Sequence, residues 1–370
     1  MTTKISLYQL FAGMVLSEYG NASLYFLAAD AKQDAWLALL LYIPVGMILQ
    51  LLYTELYYNY PNDTLITYLP KIFGRLTGSL LGFTYIVYFT YIAARLLRSY
   101  SELILIASLP DMSILVVTIT SMIVFSYGAF AGIENISRAA EIILPLLIFG
   151  MFVLFILLYA TPNVVKFHNV KPFLENGLTS VLKAGWRLYS FPYGETIIFA
   201  MIYSSVNTPA KVRTTSLLAI LFLGIGLSLN TIAFLVSLGV TGASSSLFPL
   251  FEALRLIKLG FLDKLDIFII LIMIIGAFFK ISIFTYGAIL GTSQLIKLKD
   301  PKYLTIPFGI GIAIWSIFMA KNYPQHIQVG FEFTPLYIYP PFLIVVPPVA
   351  LLVHYLKKHK KGWRAKSSTP

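Results

Sequence analysis

Two short runs, Ser17-Glu18-Tyr19-Gly20-Asn21 and Phe191-Pro192-Tyr193-Gly194-Glu195, each set a glycine and a carboxylate inside an apolar stretch of membrane-span length. A helix that simply faces lipid has no use for either residue. Non-helical backbone at membrane depth survives only where protein or a water-filled cavity satisfies the freed amides and carbonyls. Paired interruptions at corresponding places in two halves of a chain therefore point to a ligand site near the bilayer midplane, between two broken helices.

The surrounding composition agrees. Of 370 residues, 58% are hydrophobic and 12% charged, and mean hydropathy is +0.81, which is more apolar surface than one soluble core can bury. The formal net charge of +11 does not lead to nucleic acid. The cations sit in short loops and a C-terminal tail, where they orient the chain or meet anionic membrane lipid. The chain has no cysteine, which excludes disulfides, thiol redox chemistry and Cys-based metal sites. Its histidines, His168, His326, His354 and His359, fall in loops or near the end without HExxH spacing, and there is no phosphate loop and no GxSxG elbow. No enzyme, metal or cofactor is expected.

At about 20 apolar residues per crossing, ten spans are expected: 6–29, 35–57, 78–107, 113–130, 136–159, 178–203, 215–238, 266–295, 306–319 and 336–355. The first is of span length and carries Glu18, so it reads as a transmembrane helix and not a cleaved leader. Five crossings in each half place the second half upside down relative to the first, the geometry of an inverted repeat. The expected architecture is all-α. A single transmembrane domain covers 1–356, with repeats at about 1–160 and 178–356, and a basic cytoplasmic tail follows over 357–370. Helices one and six carry the breaks.

Loop charge sets the orientation. Lys4, Lys71, Arg75, Arg138, Lys211, Arg213, Lys297, Lys299, Lys302 and the basic run from Lys357 to Lys366 fall on the side of the termini. The opposite side holds the smaller set of Lys32, Lys166, Lys171, Lys183, Arg187, Arg255, Lys258, Lys264 and Lys321. Both termini are thus expected in the cytoplasm. Residues 61–73 and 248–261 read as short amphipathic helices at the interface, the second either a cover for an outer vestibule or a helix packed on the bundle.

Ionisable groups inside spans cost several kcal/mol unless they meet a cavity or a partner. Glu18, Glu195, Arg95, Arg98, Glu102 and Lys280 are such groups. Pro192 and Gly194 favour unwinding beside Glu195. That carboxylate can cap a kink, receive an ammonium group, or pair with Lys280. Glu18 has the same options, with Ser17 or Asn21 as competing caps. Tyr19 and Tyr193 are candidates for direct ligand contact. Lys280 sits roughly 20 Å from either end of its span, too deep to snorkel. Arg98 and Glu102 form an i, i+4 pair with Arg95 one turn earlier, suited equally to a charged vestibule and to an interfacial ion pair. The glycines at 74, 78 and 82 suggest close helix packing.

Taken in order, several fragments resemble one family. They are Lys4-Ile5-Ser6 with Gln9-Leu10-Phe11, then Asp34-Ala35-Trp36, Tyr60-Pro61 with Thr64, Gly74 with Gly78, and Gly132-Ile133-Glu134 with Arg138. Lys171-Pro172 with Glu175 and Gly177 follows, and then the run from Phe191 to Glu195. Along nearly its whole length the chain resembles the B subunit of bacterial spore germinant receptors, a spore germination permease branch of the amino acid, polyamine and organocation transporter superfamily. The resemblance implies a leucine-transporter-type fold in the spore inner membrane. It also implies a nutrient ligand, an amino acid or a sugar, and an A subunit and a lipoprotein C subunit as partners. In transporters of the superfamily the unwound parts of helices one and six form the substrate site, which falls here on Ser17 to Asn21 and Phe191 to Glu195. The first break lacks the glycine-rich stretch common in amino-acid transporters and offers Glu18 and Tyr19 instead. A nutrient sensor is the expected function. The alternatives are a secondary active transporter of amino acids or related solutes, proton-coupled through Glu195 and Lys280, and a purely structural membrane scaffold.

Overall fold

Ser6 starts the first helix: its hydroxyl accepts from the Gln9 amide while the Gln9 side chain accepts from the Ser6 amide, so two otherwise orphaned donors are satisfied. In the computed structural model, which describes residues 4–258 and 266–366, this helix, α1, covers Leu7–Ala22. The helices that follow are α2 (Ala35–Leu41), α3 (Ile43–Asn59), α4 (Leu65–Phe73), α5 (Arg75–Ala107), α6 (Ile114–Ala131) and α7 (Ile133–Ala160). The second half contributes α8 (Gly177–Gly185), α9 (Val212–Ser245), α10 (Pro249–Arg255), α11 (Asp266–Leu295), α12 (Thr305–Phe318), α13 (Tyr323–Gln328) and α14 (Val346–Lys366). Among the described residues no strand forms, and a single parallel bridge joins Ile5 to Val206.

Eight helical segments of the described chain are long and apolar enough to cross a membrane. They match eight of the ten expected spans. The remaining two, 6–29 and 178–203, are those in which interruptions were expected. The first fails on length because α1 stops after 16 residues. The second fails on regularity, because it is built of tight 3-10 turns over Trp186–Tyr189 and Gly194–Met201.

The two interruptions differ from expectation in opposite ways. Residues 17–21 are not unwound: α1 runs through them and loosens only at Ser23. Gly20 has another use. A Cβ on Gly20 would lie 2.2 Å from the Gly276 Cα, so the pair of glycines lets the backbones of α1 and α11 cross in direct contact. Around residue 194 the disturbance is longer than expected, extending from Trp186 to Ser205.

The last span begins earlier than residue 336. It runs over Tyr323–His359, and its middle is widened into π-helical turns at Val329–Ile338 and Pro341–Val345. Pro335, Pro340 and Pro341 supply no amide there, so the usual ladder cannot form and its bonds are redistributed. The helix continues into the basic segment through Lys366, while residues 367–370 of the expected tail lie outside the described chain.

Of the two expected interfacial helices, α4 buries Leu65, Ile66, Tyr68, Leu69 and Ile72 against α5 and α11. Gly78 makes room, since a Cβ there would meet Pro70 Cα at 2.3 Å. The other is α10, which packs on α9 and α11 and ends at Arg255. Residues 259–261 of that expectation, and Lys264, fall outside the described residues. The Ile5 bridge to Val206 and a bond from Lys357 Nζ to the Ile72 carbonyl at 2.6 Å gather both terminal regions on one face of the bundle.

Candidate functional site

The crossing of α1 and α11 decides what meets at the centre. Glu18 precedes Gly20 by half a turn and Lys280 follows Gly276 by one turn, so the close contact carries both side chains to the same place. Lys280 Nζ donates to Glu18 Oε2 at 2.7 Å and lies 2.5 Å from Glu195 Oε2. All three residues are 0% exposed. The 3-10 turn that begins at Gly194 brings Glu195 in from the opposite wall. Gly194 itself is pressed against the Tyr189 carbonyl, which an added Cβ would approach to 2.5 Å.

The outer parts of this cluster are also supported. The Tyr339 hydroxyl, presented by the widened last span, donates to Glu195 Oε1. Glu18 Oε1 has no hydrogen-bond partner. The ring of Phe191 covers Lys280, its centroid 4.6 Å from Nζ, so the ammonium sees two carboxylates and one aromatic face. An ion triple of this kind is a high-stakes element, because each charge has given up water and depends on the others.

Beyond Phe191, on the face of the bundle away from the termini, a cavity of about 510 Å³ opens among Tyr25, Phe26, Arg95, Arg187, Ser190 and Phe331. Phe331 touches Tyr25 at 5.3 Å between ring centroids and Phe191 at 6.4 Å. Phe191 thus lies between the cavity and Lys280, with Phe331 and Tyr25 packed in a row beside it. The segment from Ala243 to Leu247, just ahead of α10, lines the cavity wall, whereas α10 itself packs on the bundle.

Several expected site residues lie elsewhere. Tyr19 packs toward α7 and α9, where it lines an apolar surface pocket with Leu147 and Gly226. The Tyr193 hydroxyl donates to the Leu39 carbonyl at 2.8 Å, and its ring fills the space left by Gly46 and Gly224. Both tyrosines are helix spacers in this arrangement. Ser17 donates back to the Met14 carbonyl at 3.1 Å, the local bond of a serine within a helix. Pro192 is buried beside the break, and Asn21, half-buried, faces Lys280 across a small gap that it lines with Gly20.

The three charges of α5 separate into two roles. Arg98 pairs with Glu102 at 2.7 Å and donates to the Ile317 carbonyl at 3.0 Å and the Ala320 carbonyl at 3.4 Å. It thus satisfies one carbonyl in the last turn of α12 and one just past its end, where helical partners run out. Arg95 instead reaches the cavity. Tyr339, Phe331 and the Gln50 to Thr196 hydrogen bond beside the break were not anticipated. Nothing in their spacing singles them out in a chain with 24 tyrosines and 28 phenylalanines. Among the described residues there is no group of three or more His, Cys, Asp or Glu side chains able to hold a metal ion.

Comparison with known proteins gives a consistent result. The sequence model described as spore germination protein matches residues 4–324. The chain is 36% identical over 364 residues to spore germination protein KB of Bacillus subtilis (strain 168), covering 97% of this chain and 96% of that protein. It is 28% identical to the putative spore germination protein YfkT of the same organism, over 81% of each chain. With spore germination protein GerQB of Bacillus cereus it shares 22% identity, covering 93% of this chain and 95% of that protein.

Proposed function

Because the chain belongs to the spore germination protein family, we propose that this multi-pass membrane protein is the nutrient-sensing subunit of a germinant receptor. It binds a small amino acid or sugar between its first and sixth spans. The observation that carries this reading is the ion triple of Glu18, Lys280 and Glu195, beneath the Phe191 ring and an open cavity. Ionisable groups at that depth are retained for function more readily than for stability.

In this reading the two halves are five-helix inverted repeats of a leucine-transporter-type fold. Ligand enters from the side away from the termini, displaces Phe191 and Phe331, and contacts α1 at residues 17–21 and the broken segment at residues 191–195. Binding favours one arrangement of the first and sixth spans against the rest of the bundle. That rearrangement is read by an A subunit and a lipoprotein C subunit in the spore inner membrane, with both termini in the cytoplasm. The protein performs no covalent chemistry.

One observation favours a second reading, secondary active transport. Lys280 joins carboxylates from two separate spans, a design that also suits a site loaded and unloaded by a coupling proton. Uptake of radiolabelled amino acids and sugars into proteoliposomes separates the two, since a sensor binds without flux and a transporter accumulates label. A binding screen repeated with Glu195→Gln tests the site itself. Unchanged affinity in that variant would remove the midplane assignment.

A further inference from the structure

Of the two arginines that line the cavity, Arg95 is the one left without an ion pair among the described residues. Its residue is only 9% exposed, its Nε has no hydrogen-bond partner, and among the described residues it takes part in no ion pair. The neighbouring arginines differ: Arg98 holds Glu102 and two carbonyls, and Arg187 lies 3.8 Å from Asp30. Glu195 lies within the electrostatic reach of Arg95 but spends its own oxygens on Lys280 and Tyr339.

The surroundings hold the guanidinium in place without satisfying it. Its Cζ sits 5.9 Å from the centroid of the Phe331 ring. The adjacent Gly330 leaves it space, because a Cβ there would come within 1.8 Å of one of its terminal nitrogens. A largely buried guanidinium whose Nε has no partner is costly, and this one opens on a cavity of about 510 Å³, far larger than a halide requires and of the size that takes a small organic solute. The planar fork matches a carboxylate, which it can hold through two parallel bonds. Asp30 and Glu332 on the cavity wall oppose a polyanion and suit a ligand whose remaining charge is positive or absent.

We propose that Arg95 and the Phe331 ring form a vestibular binding site for the carboxylate of a small monocarboxylic solute, separate from the ion triple below Phe191. Amino acids carry that group, and simple carboxylates share it. The site needs no contribution from Glu18, Glu195 or Lys280, so it stands or falls on Arg95, whereas the midplane reading is tested at Glu195.

The test uses the purified full-length protein in nanodiscs, with calorimetric titration and unfolding temperature as readouts. Sodium acetate, L-alanine, L-alaninamide and sodium chloride are compared at matched ionic strength. Acetate and L-alanine should bind and raise the unfolding temperature, and L-alaninamide and chloride should not. Arg95→Gln should weaken acetate binding at least tenfold, and the exposed-face control Arg138→Gln should leave it within twofold. Gly330→Ala keeps the charge but displaces the guanidinium, and it should weaken acetate binding in the same way. That variant decides the matter if Arg95→Gln fails to fold. Equal stabilisation by chloride and acetate would mean an adventitious ion only and would overturn the proposal. Wild-type acetate affinity in a folded Arg95→Gln or Gly330→Ala protein would overturn it equally.

Discussion

Lys280 Nζ lies 2.7 Å from Glu18 Oε2 because Gly20 and Gly276 allow α1 and α11 to cross in backbone contact. The same two helices that bring these charges together also isolate them from water, so packing and electrostatics cannot be varied independently at this point. Two carboxylates and one ammonium, each 0% exposed, form a unit whose members are cheaper to keep together than to remove singly.

Replacing Lys280 with Met should therefore destabilise the protein by about 3–5 kcal/mol, the cost of leaving a buried charge without its partner. Adding Glu18→Gln and Glu195→Gln to Lys280→Met should recover most of that loss. Thermal unfolding in nanodiscs reads both effects. A single Lys280→Met variant as stable as the parent would show that the ammonium is not what balances the carboxylates.

The crossing itself can be tested without touching a charge. Gly276→Ala places a methyl against the Gly20 Cα, which an added Cβ would approach to 2.4 Å, and such overpacking costs about 1–3 kcal/mol. Gly311→Ala on α12 has nothing within 4 Å and should gain about 0.5–1 kcal/mol from restricting the unfolded chain. Unfolding temperatures that move in the same direction for both variants would argue against a specific contact at Gly276.

Much of the central cluster was legible because an ionisable residue in a long apolar run has few places to go. Glu18, Glu195 and Lys280 announce themselves on that ground alone. Gly20 was misread for a physical reason: a sequence does not distinguish a glycine that unwinds a helix from one that admits a second helix. The partner that settles it, Gly276, belongs to a distant span. Tyr19 and Tyr193 adjoin Glu18 and Gly194 along the chain, yet neighbouring positions point in different directions, and their rings pack between helices. The tight 3-10 turns after Gly194 were foreshadowed by Pro192 and Gly194, whereas Tyr339 arrives by tertiary packing alone. The early start of the last span was hidden by its polar opening, Tyr323 to Gln328.

Tyr339→Phe should cost about 1.5–3 kcal/mol, the range for a hydrogen bond to a charged group, because it removes the hydroxyl that donates to Glu195 Oε1 while keeping the ring. The loss should largely vanish when Glu195→Gln is already present, since a neutral amide oxygen accepts from the hydroxyl more weakly than a carboxylate does. A double-mutant cycle on unfolding free energy measures the coupling. Strict additivity of the two substitutions would show that hydroxyl and carboxylate do not interact.

Arg98→Lys retains the charge beside Glu102 but loses the planar fork that also reaches the Ile317 and Ala320 carbonyls. A lysine ammonium is a point charge and cannot span both directions. Two neutral acceptors are left without a donor near the end of α12, at about 0.5–1.5 kcal/mol for each lost bond, so a loss of roughly 1–3 kcal/mol is expected. The loss should be local before it is global. Amide exchange should accelerate around residues 317–320 while the centre of α11 stays protected, because fraying of a helix end needs less free energy than opening the bundle. Unaltered exchange at that end would mean that Arg98 serves Glu102 alone.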